Sequence, residues 1–429
     1  MAISDILKAR KMSKILRPIT FLTIISNFSL LILLISQYPN SLLTQSPNVL
    51  FAQSNFFGYY EGEFDQLKFA NKTYNYGYNK LRLDFEARPN YAVTIGANIN
   101  FQKYFDNISW NLLDFLPSNI WKPIFQPEGY PKELWMTEFP IVLLDTLYLD
   151  NVYLKAGFKH FDLTIGKQQI SLGTGYAWNP TDIFNTKLLL DPTYEQTGVN
   201  AVRAEIPLKG RIGLDVILSP GKDWNESVKM LQLKTGLGRF DMQGTIGQYA
   251  WQRTQFNPIT FSIDEQNYLR ILYGGSVVGE FAGAGIWIEG AWNKMENSDD
   301  FSEVIIGSDY TFKNGLYIIM EYLRNENGVS KSKNLDINNY LQYFMGETHS
   351  LMQDYVFSFI SYPLNDFIQI GLLGFGNLND NSAALNPQFL WNLFQDVDLT
   401  MMYSHFLGDD NTEFGVQDWG WRIRLRGYF

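Results

Sequence analysis

From residue 53 to the C-terminus, apolar side chains recur at every second position along most of the chain. In the segment 79–88, for example, Leu81 and Leu83 alternate with Arg82 and Asp84, so a strand here would have one apolar and one charged face. A hydrophobic period of two predicts β-strands, whereas a helix would show a period of 3.6. The pattern therefore predicts a protein built almost entirely from β-strands.

The connections between these strands are alternately short and long. Short turns are predicted near Pro89, His160, Lys209, Leu237, Glu280, Asn314, Leu364 and Asp396. Longer polar or irregular loops are predicted at residues 68–78, 104–146, 171–197, 219–228, 248–267, 292–302, 324–353, 376–388 and 407–418. Eight turns and nine loops join eighteen strands, and an even strand number with short turns at one end is typical of bacterial outer-membrane barrels.

The fold prediction is therefore all-β: a transmembrane outer-membrane β-barrel of about 18 antiparallel strands, spanning residues 53–429, with short periplasmic turns and long extracellular loops. The alternation within one strand fits a soluble β-sandwich equally well. The ordered sequence of short and long connections favours the membrane barrel.

The N-terminal region has the order of segments found in a secretory signal. Five basic residues precede an apolar run at residues 19–35, and the small residue Ala52 follows after a polar stretch. We expect residues 1–52 to form a signal peptide. An uncleaved membrane anchor is the alternative, because the apolar run is close to the length of a spanning helix.

The C-terminal segment is a strongly amphipathic strand. Arg422, Arg424 and Arg426 alternate with apolar residues, and the chain stops on the aromatic Phe429. Such a strand resembles the signal that outer-membrane barrels present to the barrel assembly machinery, although a soluble β protein could also end this way. The expected partners are this machinery, outer-membrane lipids and lipopolysaccharide, in the outer membrane of a Gram-negative-type cell.

Composition narrows the chemistry. With 16% aromatic residues, 18% charged residues and a formal net charge of −10, the chain is neither disordered nor a basic nucleic-acid binder. Cysteine is absent and the three histidines stand in no hydrolase or metal-binding motif, so we expect no cofactor, no metal and no enzyme activity. An outer-membrane hydrolase using His349 or His405 at the barrel rim is an alternative that the sequence leaves open.

Polar faces are expected to line the lumen, since a charge facing lipid at mid-depth costs about 2–4 kcal/mol. The candidate pore-lining and substrate-contacting residues are Lys80, Arg82, Arg203, Lys234, Arg270, Arg422, Arg424 and Arg426. This set predicts a lumen that is basic on balance and favours anions. The alternative is that these side chains pair with carboxylates on neighbouring strands and brace the wall.

Two loops are too long and too structured for simple solvated tips. Residues Ile108–Pro140 hold three tryptophans and several prolines, and we expect them to constrict the lumen or to form a cap on the rim. Residues Ser171–Thr197 combine glycines with an Asn-Pro step, which indicates a fixed turn structure. This second loop either contacts solutes in the lumen or packs only on itself.

A short motif around the second loop resembles a known family. The motif residues are Lys167, Gln168, Gly173, Trp178, Asn179, Pro180 and Asp182. They resemble the strand-and-loop motif of alginate-export-type outer-membrane porins and their uncharacterised relatives. The resemblance implies an eighteen-stranded barrel, and for the best-known member the passage of an acidic exopolysaccharide through an arginine-rich lumen. This chain has Lys167 where the family usually has arginine, and Leu172 where it has an aromatic residue.

The sequence thus predicts an outer-membrane porin, a channel for passive transport of small or anionic solutes, with export of an acidic polysaccharide as the specialised form of that activity. A plugged active transporter is disfavoured, because the strand pattern starts within about ten residues of Ala52 and leaves no room for a plug domain. A structural or adhesive barrel with a blocked lumen is the remaining alternative.

Overall fold

The computed structural model describes residues 53–69, 72–129, 131–185, 187, 195–260 and 262–429. The predicted signal peptide, residues 1–52, lies outside the described residues. Within the described ranges, none of the helices has the length and apolar character needed to span a membrane.

The described residues form twenty β-strands, two α-helices and three short 3-10 helices. The strands are β1 Gln53–Phe69, β2 Lys72–Asn90, β3 Val93–Asp106, β4 Ser109–Asn111, β5 Pro140–Val142, β6 Thr146–Gly157, β7 Asp162–Gln168, β8 Val199–Pro207, β9 Gly213–Ser219, β10 Val228–Leu237, β11 Phe240–Asn257, β12 Ser262–Phe281, β13 Ala284–Met295, β14 Phe301–Thr311, β15 Tyr317–Asn325, β16 Asp354–Pro363, β17 Ile368–Asn377, β18 Ser382–Phe394, β19 Val397–Leu407 and β20 Trp419–Tyr428. The helices are α1 Ser118–Phe125 and α2 Ile337–Phe344, with 3-10 turns at Leu112–Phe115, Lys132–Leu134 and Ser332–Asn334.

Eighteen of these strands form one closed antiparallel sheet, and β4 pairs only with β5 in a separate ribbon. Each barrel strand pairs with the next one along the chain, and β20 pairs with β1 to close the ring. Closure removes the unpaired sheet edges that could not be tolerated in lipid. The predicted barrel and its strand number are confirmed.

All eight predicted short turns join strands at one end of the barrel, here named the turn end. The opposite end, named the loop end, carries the longer connections. Three predicted loops are much shorter than expected, because β1 and β2 extend to residues 69 and 72, β11 and β12 to residues 257 and 262, and β17 and β18 to residues 377 and 382. Their polar composition resembles that of loops, yet a strand that projects beyond an apolar medium can carry polar residues on both faces.

Exposure alternates along the strands in the sense opposite to that of a soluble protein. On β10, Leu231 and Leu233 are 42% and 47% exposed, whereas Gln232 between them is 1% exposed. Large apolar side chains therefore cover the outside of the barrel and polar side chains are enclosed within it. This arrangement is stable when the surrounding medium is lipid.

A ladder of ion pairs joins the first and the last strand. The directly opposed residues are Arg422 with Asp65, Arg424 with Glu63, and Arg426 with Glu61. All three carboxylates are nearly inaccessible, and the Nε of Arg422 donates to Asp65 over 2.7 Å while the Nε of Arg426 donates to Glu61 over 2.6 Å. A shift of one residue would place these side chains on the outer face, so the ladder specifies the closing register.

Replacing Arg424 with glutamine is expected to destabilise the barrel by about 3 kcal/mol, because Glu63 would remain buried without its closest cation. The low end of the usual range applies, since the Nε of Arg422 also lies 3.2 Å from Glu63. Urea unfolding in lipid vesicles, followed by tryptophan fluorescence, measures the effect. The double variant Arg424→Gln/Glu63→Gln should lose less stability than Arg424→Gln alone. An equal or larger loss in the double variant would contradict the assignment.

Candidate functional site: a lumen crossed by one loop

The described residues of the connection between β7 and β8, namely 169–185, 187 and 195–198, lie inside the barrel and are named the crossing loop. Its backbone N–H groups at Thr174 and Thr181 donate to Glu289 on β13 over 2.6 and 2.8 Å. Strand β13 lies five strands beyond β8 around the ring. Because the barrel is closed, one segment can join these walls only by crossing the interior.

A second carboxylate, that of Glu321 on β15, holds the middle of the crossing loop. The N–H groups of Tyr176, Ala177 and Trp178 donate to it over 2.8, 3.0 and 2.9 Å, and the indole N–H of Trp287 donates over 2.6 Å. Hydrogen bonds to a charged acceptor contribute about 1.5–3 kcal/mol each. Glu289 and Glu321 together therefore fix the loop against the far wall.

The local conformation of the loop follows from its glycines and one aspartate. Gly173 has a φ of +85°, and a Cβ there would lie 2.7 Å from the carboxylate of Glu289. Asp182 is buried, and its side chain accepts hydrogen bonds from the backbone N–H groups of Leu172, Phe184 and Asn185. Only glycine permits the close approach to Glu289, and Asp182 supplies the acceptors that turn the chain.

The other motif residues also shape this loop. Lys167 donates to the carbonyl of Leu149 over 2.7 Å, and the Gln168 amide donates to the carbonyls of Thr164 and Ala201. The carbonyl of Asn179 accepts from the N–H of Asp182, and Pro180 lines a cavity beside them. The motif thus builds and anchors the crossing loop. Its residues make these contacts with the protein itself.

The apex of the loop packs on aromatic side chains of the far wall. Trp178 is buried, and its ring centroid lies 6.1 Å from that of Tyr355 on β16 and 5.9 Å from that of Phe375 on β17. Tyr176 stacks on Phe357, with ring centroids 5.4 Å apart, and remains 46% exposed. The loop therefore packs on the inner wall, and the alternative that Ser171–Thr197 packs only on itself does not describe these contacts.

The end of the crossing loop returns to the opposite wall through Glu195. This carboxylate accepts from the Tyr59 hydroxyl over 2.7 Å and lies 3.0 Å from both Lys80 Nζ and Arg82 Nη1. Burial raises the pKa of Glu195, but Lys80, the Tyr59 hydroxyl and Arg82 outweigh burial and lower it to about 2. Glu195 is therefore ionised throughout the physiological pH range.

Each of the eight predicted pore-lining cations has a carboxylate partner. The nearest partners are Glu195 for Lys80, Asp84 for Arg82, Asp215 for Arg203 and Lys234, Glu303 for Arg270, Asp65 for Arg422, Glu63 for Arg424 and Glu61 for Arg426. These acids offset most of the positive charge that was expected to make the lumen basic on balance. The geometry matches the alternative in which these side chains brace the wall.

Some of the acidic partners that the sequence analysis did not identify could have been predicted from the strand pattern. Acids occupy every second position of β1, at Glu61, Glu63 and Asp65, as the arginines do on β20. The sequence therefore indicates that the acids share the inner face of β1. Glu289 and Glu321 are the single carboxylates of β13 and β15, and each stands within an apolar stretch of its strand. A lone acid in such a segment needs a partner from elsewhere, but the sequence contains no indication that backbone N–H groups of a distant loop supply it.

One side of the lumen is filled with apolar side chains. Strands β14–β17 turn apolar residues inward, such as Ile305, Ile319 and Phe357, each at most 1% exposed. They belong to one cluster with side chains from residues 107–145 and 326–353, two loops that together are named the mouth cap. The rule that polar faces line the lumen fails on these strands, because protein and not water covers their inner face.

The mouth cap bridges the loop end of the barrel. In its first part, the ring of Phe125 in α1 lies 5.4 Å from that of Phe256 on β11, although this part is attached to β3 and β6. In its second part, the Gln342 side chain in α2 accepts from Arg253 on β11 over 2.9 Å. Ile108–Pro140 therefore lies across the mouth, which matches the expected cap.

His349 ties the second part of the mouth cap to the wall. Its Nδ1 lies 2.8 Å from Oε1 of Glu303, and the other oxygen of this carboxylate, Oε2, lies 3.4 Å from Arg270 Nη2. The hydroxyl of the neighbouring Ser350 donates to the carbonyl of Met352 over 2.8 Å. The side chain of His349 thus anchors the mouth cap to Glu303, whereas His405 stacks on Tyr403 on β19.

No protein-family model matches the chain, and no curated protein matches it in sequence. Among solved structures, OccAB1 of Acinetobacter baumannii matches with a TM-score of 0.54 and 9% identity, over 90% of this chain and 98% of that one. OccAB4 of the same organism matches at 0.49 and 10%, over 90% and 100%. In-vitro folded OmpT, an outer membrane protein of Vibrio cholerae, matches at 0.44 and 11%, over 90% and 99%. At such low identity the likeness to OccAB1 shows the fold: the chain is a large closed barrel of the outer-membrane type.

Proposed function

We propose that the protein is a passive pore of the outer membrane that carries small polar solutes along the polar side of its lumen. The observation that carries the proposal is the division of the lumen by the crossing loop. Strands β13–β17 are covered by the loop and the mouth cap, whereas β1–β3, β6–β8 and β18–β20 turn polar side chains inward. A loop folded into a barrel narrows the passage and selects solutes by size and polarity.

Two cavities on the polar side support this path. One, of about 580 Å³, is lined near the turn end by Asp398, Thr400, Arg424 and Arg426 among others. The other, of about 410 Å³, lies against β2, β3 and β6–β8. Both are large enough for a small solute with its hydration water.

The competing function is a structural or adhesive barrel with a blocked lumen, which the mouth cap favours. Single-channel recording in a planar bilayer separates the two. Discrete conductance steps that scale with salt concentration are expected for a pore. A correctly folded protein that inserts without conducting would establish the blocked barrel instead.

The resemblance to alginate-export porins concerns the motif that builds the crossing loop. Carriage of an acidic polymer would require cations free to bind successive carboxylates, and the eight predicted cations are held by acids of the protein. We therefore assign small solutes as the cargo. Membership of the family is part of the proposal.

Release of the crossing loop is expected to raise conductance. The double variant Glu289→Ala/Glu321→Ala removes the acceptors of five loop N–H groups, so the loop should detach from β13 and β15. The single-channel conductance of wild-type protein and variant provides the comparison. Glu280→Ala, on β12 near the turn end, is the matched control because Glu280 pairs with Arg239 outside the loop. Unchanged conductance in a folded double variant would show that the loop does not limit flow.

Ion selectivity is expected to be weak in the wild type, since the wall cations are matched by acids. Glu195→Gln should move the reversal potential in a salt gradient toward anion preference, because it removes the carboxylate beside Lys80 and leaves Arg82 with Asp84 alone. Glu280→Gln again serves as the control. Strong anion preference before any substitution would mean that the pairs leave a positive field in the pore.

A further inference from the structure

The cavity beside β2, β3 and β6–β8, here named the trough, has features of a binding subsite. It lies on the inner wall between Gln169 at the start of the crossing loop and the turn end. Its volume of about 410 Å³ is within the range of small-molecule sites, about 300–1,000 Å³. A solute passing the crossing loop on the polar side would reach it.

Charged side chains in the trough occur as pairs. Arg82 Nε lies 2.9 Å from Asp84, and Arg203 Nη2 lies 3.0 Å from Glu205. Lys155 Nζ, on the same wall, lies 3.7 Å from Glu205. An anionic solute would have to separate one of these pairs, at the cost of leaving a carboxylate without its cation. A neutral solute with many hydroxyls can instead donate to the acids and accept from the cations while the pairs persist.

Two aromatic rings add flat apolar surfaces to the same trough. Phe57 lines it and is 49% exposed, whereas its neighbour Phe56 points outward and packs on Phe85. Tyr153 lies across Gly96, where a Cβ would be only 2.5 Å from the Tyr153 ring. An exposed phenylalanine inside a polar lumen leaves apolar surface in water until a solute covers it.

We infer that the trough binds a neutral sugar, whose C–H face would stack on Phe57 and Tyr153 while its hydroxyls bond to the paired side chains. This inference rests on the proposed function and names its solute class. Stacking on the two aromatic rings favours a sugar over a linear polar solute. The paired charges favour a neutral sugar over a sugar acid. No covalent step is involved.

The test uses saturation-transfer NMR on the refolded protein in detergent micelles, with D-glucose and its acid D-gluconate as probes. We expect glucose to bind and gluconate to bind more weakly. Phe57→Leu should weaken glucose binding about twofold to twelvefold, because an aromatic contact contributes about 0.5–1.5 kcal/mol. Phe56→Leu, one residue away on the outer face, should leave binding unchanged.

Gluconate binding as tightly as glucose would overturn the sugar assignment, as would equal glucose binding by Phe57→Leu and the wild type. Glucose binding to the protein in detergent micelles does not require conduction. The pore proposal and the trough proposal can therefore fail independently. A protein that binds glucose without conducting ions contradicts the pore alone. One that conducts without binding glucose contradicts the trough alone.

Discussion

Buried carboxylates organise the inside of this barrel. A carboxylate enclosed by a lipid-facing wall is stable only if cations or N–H groups surround it. Glu61, Glu63 and Asp65 meet arginines of the last strand, whereas Glu289 and Glu321 meet backbone N–H groups of a loop. The same requirement therefore closes the barrel on one side and draws the crossing loop through its lumen on the other.

The fold could be predicted well because the lipid environment imposes one rule on every strand. Outward positions must be apolar, so each strand shows a hydrophobic period of two in the sequence. The eight short turns interrupt this pattern and could therefore be located. Loop lengths were overestimated where hairpins extend beyond the apolar belt, as at β11 and β12, since polar residues there are compatible with strand and loop alike.

The contacts inside the barrel were less predictable, because the residues that form them come from distant parts of the chain. The eight cations were located by strand phase, but whether they are free depends on acids that lie next to them only after folding. Strands β14 and β15 carry large apolar residues on both faces, with Ile305 inside and Ile306 outside, and this pattern indicates an inner wall that is covered by protein. The loop that covers it could be suspected from its glycines, whereas its anchors could not.

The ion-pair ladder between β1 and β20 also has a consequence for biogenesis. These strands are far apart in sequence, so the acids of β1 stay unpaired until the end of the polypeptide arrives. A nascent chain cut short before β20 would hold three carboxylates that no later segment neutralises, and inserting them into a membrane would be unfavourable. Closure of the barrel therefore depends on the last strand, because β20 brings the cations that neutralise the acids of β1.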